Sequence, residues 1–230
     1  MARFWELDFL RGIAISMMVL FHFLWDLNYF NLINIQLYEG FWGLFQKATA
    51  LLFLLLVGAL IAINKSNGKL ETLHDFLKRG VFIFSWGLLL TIISYVLYPK
   101  GFIYFGILHL IGVSIILSTP FAGKKTESLI AGFFVILLPL VYKSSFPLVF
   151  AAPMPTLDFF PVFPWFGAVL IGIAMGNHFY AQGKRSFELN DFAGKFSNLI
   201  QVAGKNSLLI YFTHQLILFP LVFILSYLIA

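Results

Sequence analysis

The stretch FLRGIAISMMVLFHFLWDLNYF, residues 9–30, decides the class of this chain. It is long enough to cross a bilayer, for which about 20 apolar residues are needed, yet it carries Arg11, His22 and Asp26. An ionisable side chain at the centre of a span costs about 2.5–3.5 kcal/mol on insertion scales and commonly marks function. On a helix of about 3.6 residues per turn, the step from Arg11 to His22 is close to three turns, so the two side chains share a face. His22 stands roughly 16 Å along the axis from Arg11 at about 1.5 Å per residue, and Asp26 follows one turn later. Asp8, three residues before Arg11, is in reach of it for an ion pair. A carboxylate four residues after a histidine can accept a hydrogen bond from one ring nitrogen, fix the tautomer and leave the other nitrogen as a base. His22 with Asp26 is the candidate catalytic pair. The alternatives are a packing histidine bonded to a neighbouring helix and an Asp26 solvated near the outer surface.

Composition agrees with the membrane reading. Of 230 residues 60% are hydrophobic and 11% charged, with a mean hydropathy of +0.92, whereas a soluble domain carries about 25% charged residues. Apolar runs at about 8–30, 41–63, 80–98, 101–119, 127–143, 160–180 and 206–228 predict an all-α, polytopic helical bundle of about seven transmembrane helices, one domain over 1–230, multi-pass in the cell membrane. The intervening stretches, AQGKRSFELNDFAGKFSNLIQVAGK among them, read as turns and loops. The absence of cysteine excludes disulfides and thiolate chemistry. The net charge of +5 is spread over separate loops and forms no continuous patch, which argues against nucleic acid as a partner. Membrane lipids are the expected surroundings, and a homodimer is left open.

Orientation follows from the basic residues. With a cytoplasmic N-terminus the inner segments hold Arg3, Lys65, Lys69, Lys78, Arg79, Lys124, Lys125, Lys184, Arg185, Lys195 and Lys205, and the outer ones only Lys100 and Lys143. The positive-inside bias then puts the N-terminus in the cytoplasm and the C-terminus outside. The Pro-rich stretch from 144 to 167 cannot be one continuous helix. It is expected to fold back over the outer mouth and line a cavity, with Asp158 facing it near the level of His22 and Asp26. His109 and His214 lie within other spans, where function and packing weigh equally. Lys47 suits snorkelling to the surface, and His74 and His178 suit the solvated margin.

Arg11 and His22 on the first helix, followed near the end by SLLIYFTH with Ser207, Tyr211 and His214, resemble the transmembrane acyltransferase superfamily. Within it, RFWELDFLRGIAISMMVLFHFLWDLNYF and DFFPVFPWFGAVLIGIAMG look most like short prokaryotic relatives of the heparan-α-glucosaminide N-acetyltransferase catalytic domain. The resemblance implies acyl transfer across a membrane, from cytoplasmic acyl-CoA, with acetyl-CoA the expected donor, to a sugar or lipid-linked glycan on the far side, with no metal. A cationic rim of Arg11, Arg79 and Lys205 would bind the anionic end of CoA. His22 would act as base toward an acceptor hydroxyl or amine, or carry the acyl group itself. His109, Asp158, Glu39, His214 and Tyr211 would contact the acceptor. The large lysosomal enzyme of that family has a histidine in the loop after the first helix; LYEGFWGL here has Glu39 and no histidine, which moves the chemistry to His22. The rival readings are a haem or redox protein, with His22 and His109 as axial ligands, and a proton-coupled transporter relaying through His22 and Asp26.

Overall fold

A computed structural model describes residues 4–141, 156–189 and 194–229. Among these the chain is helical: α1 (Trp5–Tyr29), α2 (Gly40–Ser66), α3 (Leu73–Leu97), α4 (Ile107–Leu117), α5 (Lys125–Val141), α6 (Val162–Phe179), α7 (Lys195–Lys205) and α8 (Ser207–Ile229), with a 3-10 turn at Ala181–Gly183. The described residues hold no strand, only one isolated parallel bridge between Phe105 and Phe159. Five helices, α1, α2, α3, α6 and α8, are long and apolar enough to cross a membrane, and the protein is a multi-pass membrane protein.

The helices expected at 101–119 and 127–143 are shorter, 11 residues in α4 and 17 in α5. α4 starts late because side chains and a neighbouring strand of chain claim the backbone before it. The Thr91 hydroxyl donates to the Ile103 carbonyl at 2.8 Å, and Ile103 N–H donates to Ser94 Oγ at 3.0 Å. Leu157 N–H and Phe160 N–H donate to the carbonyls of Gly101 and Phe105 at 2.8 and 2.9 Å. Groups committed to those bonds cannot join an α-helical ladder. α3 starts seven residues earlier than its hydropathy suggests, because Thr72 and Asp75 form a capping box: Thr72 N–H donates to Asp75 Oδ2 at 2.8 Å and Asp75 N–H to Thr72 Oγ1 at 3.4 Å. Of the stretch 144–167 expected to fold back, 144–155 lies outside the described residues, and Val162 onward belongs to α6.

The chain forms two compact units, Met1–Phe53 with Leu189–Ala230, and Leu54–Glu188, the boundary falling within α2. In the first unit α7 occupies part of the stretch expected to be loop. It crosses α1 closely: a Cβ at Gly12 would overlap the Ile200 carbonyl oxygen, and one at Gly204 the Asp8 carbonyl oxygen. Only glycine permits backbones to approach in this way. α8 runs beside α1, with Phe30 against Phe219 and Phe223 at centroid separations of 5.1 and 5.7 Å. Its buried residues are His214 and Val222. Leu216, Ile217, Leu221, Phe223, Ile224 and Leu228 are exposed, as expected of a helix that meets lipid on most of its circumference.

In the second unit α3 pairs with α4 and α5 with α6. Gly80 and Gly112 let α3 and α4 touch backbone to backbone, since a Cβ on either would press on the other's carbonyl oxygen. The core of this unit is centred on α6, where Val169, Leu170 and Ile173 are fully buried.

Candidate active site

The polar face of α1 meets α7 and α8 within the first unit. Near the start of α1, Arg11 Nη1 lies 3.4 Å from Asp8 Oδ1 and donates to the Gly204 carbonyl of α7 at 3.4 Å. Asp8 is buried and the Arg11 side chain mostly covered. Arg11, expected at a CoA-binding rim, thus also joins α1 to α7. Lys205, at the end of α7, is exposed, and so is Arg79, which belongs to the second unit.

Deeper along α1, His22 meets His214 of α8. The two imidazoles are in edge-to-face contact, with centroids 4.7 Å apart and planes at 80°. His22 Nδ1 lies 2.9 Å from the Met18 carbonyl oxygen one turn back on its own helix, and His214 Nδ1 lies 2.8 Å from that of Tyr211. A carbonyl oxygen only accepts, so Nδ1 carries hydrogen in both rings, and in the neutral ring the lone pair sits on Nε2. His214 Nε2 is buried and has no hydrogen-bond partner among the described residues.

The tautomer of His22 is therefore fixed by its own main chain, which corrects the expectation that Asp26 would hold it. Asp26 is fully buried and accepts from Gln215 Nε2 at 3.2 Å through Oδ1, while its Oδ2 has no partner among the described residues. The reason is steric: the i−4 carbonyl lies against the ring already, whereas Gln215 on α8 reaches Asp26 directly. Burial also overturns the alternative of a solvated Asp26. Sequence reasoning misses Gln215; the signal is its position next to His214 in an otherwise apolar helix. Tyr211 contributes its carbonyl, and its ring lies 5.9 Å from that of His214. Glu39 is exposed just before α2.

Along α1 and α8 runs an open, apolar groove of about 360 Å³, lined by Ile15, Val19 and Phe23 of α1 and by Ile210 and Leu218 of α8, among others. Ile210 and Leu218 stand one turn before and after His214 on α8.

The remaining expected residues sit in the second unit. His109 is 2% exposed. Its Nδ1 accepts from Gly106 N–H at 3.1 Å, so Nε2 carries hydrogen and donates to Thr91 Oγ1 at 3.3 Å. The ring stacks on Phe105 at 5.4 Å. Both nitrogens are committed to holding the start of α4, which leaves neither for an axial haem bond. Asp158 Oδ2 accepts from Ile107 N–H at 3.2 Å and so caps the same helix from a distance. Among the described residues no group of three or more His, Cys, Asp or Glu is arranged to hold a metal ion.

A family model described as heparan-alpha-glucosaminide N-acetyltransferase, catalytic, matches residues 3–216. No curated protein and no solved structure matches the chain.

Proposed function

The chain belongs to the heparan-alpha-glucosaminide N-acetyltransferase catalytic-domain family, and from that premise we propose that it moves an acetyl group from acetyl-CoA to the amine of a sugar or lipid-linked glycan, with His22 as the catalytic base. The match runs through both units, and we read the chain as one acyltransferase domain with its N-terminus in the cytoplasm, the donor on that side and the acceptor opposite.

One observation carries the reading: His22 is half-buried in a span, with Nδ1 tied to a main-chain carbonyl and its lone pair on Nε2. A base held in one tautomer needs no rearrangement before it accepts a proton. The acceptor nitrogen attacks the thioester carbonyl as His22 Nε2 removes its proton. The new C–N bond forms, the tetrahedral intermediate collapses, and the C–S bond breaks. The departing CoA thiolate takes the proton back from His22, giving free CoA and the acetamide. A base in a water-poor site is worth about 10²–10⁴ in rate.

The test is direct. Purified protein in lipid nanodiscs is given radiolabelled acetyl-CoA and glucosamine, and the product is checked for label in N-acetylglucosamine. Transfer above a protein-free control supports the reading; no label on any amine or hydroxyl acceptor removes it.

A further inference from the structure

We propose that His214 is a second catalytic base, which strips the ammonium proton from the acceptor so that His22 meets a free amine. This rests on the reading of the chain as an amine acetyltransferase.

A primary amine reaches neutral water as R–NH3⁺ and has no lone pair with which to attack a thioester. Making the amide removes two protons from nitrogen: one before the C–N bond forms and one as it forms. The thiolate takes back one of them, so each turnover releases one proton. A hydroxyl acceptor loses only one and needs a single base.

The site offers two. His22 and His214 are in ring contact, and each has Nδ1 pinned to a carbonyl of its own helix. Neither ring can therefore pass a proton through its other nitrogen, and each presents Nε2 alone. A chain whose only task was one proton transfer would gain nothing from a second fixed lone pair. His214 Nε2 is, moreover, a buried acceptor without a donor among the described residues. Such atoms are rare in folded proteins, and a catalytic role is one of the explanations for them. Two further acceptor atoms at this helix pair, Asp26 Oδ2 and Gln215 Oε1, are also buried and without a partner among the described residues. A region supplied with acceptors and short of donors favours a group rich in N–H, which an ammonium is. An apolar groove lies along the same two helices, lined by Val19 and Phe23 of α1 and by Ile210 and Leu218 of α8 among others, and gives an apolar carrier chain a place to lie near the pair.

The other titratable groups around His214 are few. From α1 they are His22 and, one turn further, Asp26 bound to Gln215; from α8 itself, Tyr211. α7 carries Lys195 and Lys205, both exposed. Among the described residues no carboxylate is bonded to His214, so its Nε2 is, beside that of His22, an imidazole nitrogen fit to take a proton from the amine.

In the step itself, R–NH3⁺ donates to His214 Nε2, the N–H bond breaks and the electron pair stays on nitrogen. The resulting amine attacks as described for His22, and imidazolium His214 then loses its proton to water.

The experiment compares the wild-type protein with His214→Gln, His214→Asn and His22→Gln in nanodiscs. Transfer of acetyl to glucosamine is followed by CoA thiol release from about pH 6 to about pH 9, and thermal unfolding checks that each variant is folded. At the acid end both His214 variants should be slower by roughly 100-fold, the size of one lost base. Their rate should rise about tenfold per pH unit, as free amine replaces ammonium in solution, and approach the wild type. His22→Gln should stay depressed throughout. If folded His214 variants are slowed equally at every pH, or are not slowed at the acid end, the second base is removed and the acetyltransferase reading stands. A wild-type protein that acetylates only hydroxyls also overturns it, and one that transfers to no acceptor removes both readings.

Discussion

Asp26 on α1 and Gln215 on α8 are joined by a hydrogen bond of 3.2 Å, one turn beyond the contact between His22 and His214. Together with the contact of His22 and His214 it ties the two helices at one height, whereas the aromatic contacts of Phe30 with Phe219 and Phe223 tolerate sliding. A glutamine one position earlier or later on α8 would point about 100° away.

Breaking that link should loosen the site without removing a base. Asp26→Ala and Gln215→Ala each leave a buried polar partner unmatched, at a cost of about 1–3 kcal/mol. A double-mutant cycle on unfolding in detergent should give a coupling of roughly 0.6–1.7 kcal/mol, the range seen for hydrogen bonds between membrane helices. Asp26→Asn keeps an oxygen toward Gln215 and should cost less than Asp26→Ala. Additive single effects would show that the bond does not set the register.

The crossing of α1 and α7 predicts a sharp size limit. At Gly12 and Gly204 an added Cβ would collide with main-chain oxygen, which cannot rotate away. Gly12→Ala and Gly204→Ala should each lower stability by about 1–3 kcal/mol or more, as overpacking does. Gly123, where an added methyl would meet no described atom within 4 Å, serves as the control, and Gly123→Ala should stay within about 0.5 kcal/mol of wild type. Thermal unfolding in one detergent measures all three, and equal Tm values would refute the close crossing.

Asp158 gives a pH dependence of definite sign. Burial pushes its carboxyl up to about 6 from an ordinary 3.8, against the opposing pull of the Ile107 N–H. At low pH the carboxyl is protonated both folded and unfolded and adds no slope. As pH rises from about 4 to about 6 the unfolded chain ionises first, so stability falls; above about 6 both states are charged and the loss levels off. Asp158→Asn keeps an oxygen for Ile107 and has no charge, so it should flatten this part of the profile. Stability that rises over the same interval would mean that Asp158 is held as a carboxylate.

Part of this is legible in the sequence. The face shared by Arg11, His22 and Asp26 follows from helical spacing alone, and the membrane class from composition. The partner of that face does not, because which helix meets α1, and at what height, is decided by packing between segments nearly 190 residues apart. α7 escapes a hydropathy reading because it is short and amphipathic, with Phe196, Leu199 and Val202 exposed on one side and Ser197 and Gly204 buried on the other. Its small residues at Gly204 and Ala203, in helical register with Ile200, are the signal that was there to read. Hydropathy makes α4 too long because it averages over 101–106 and cannot register that Thr91, Ser94 and residues 157–160 have already claimed that backbone. His109 and His214 look alike in sequence, both single histidines in apolar runs. Their difference lies in partners: His109 has both nitrogens bonded, and His214 has one left over.

The most direct test of the central claim is the rate of acetyl transfer from acetyl-CoA to an amino sugar by His22→Gln, measured in nanodiscs beside the wild-type protein and with unfolding curves for both. Glutamine fills a similar volume but offers no base, so the variant should unfold near the wild-type temperature and turn over at least roughly 100-fold more slowly at neutral pH. A folded His22→Gln protein that transfers acetyl at close to the wild-type rate would contradict the assignment of His22 as the catalytic base.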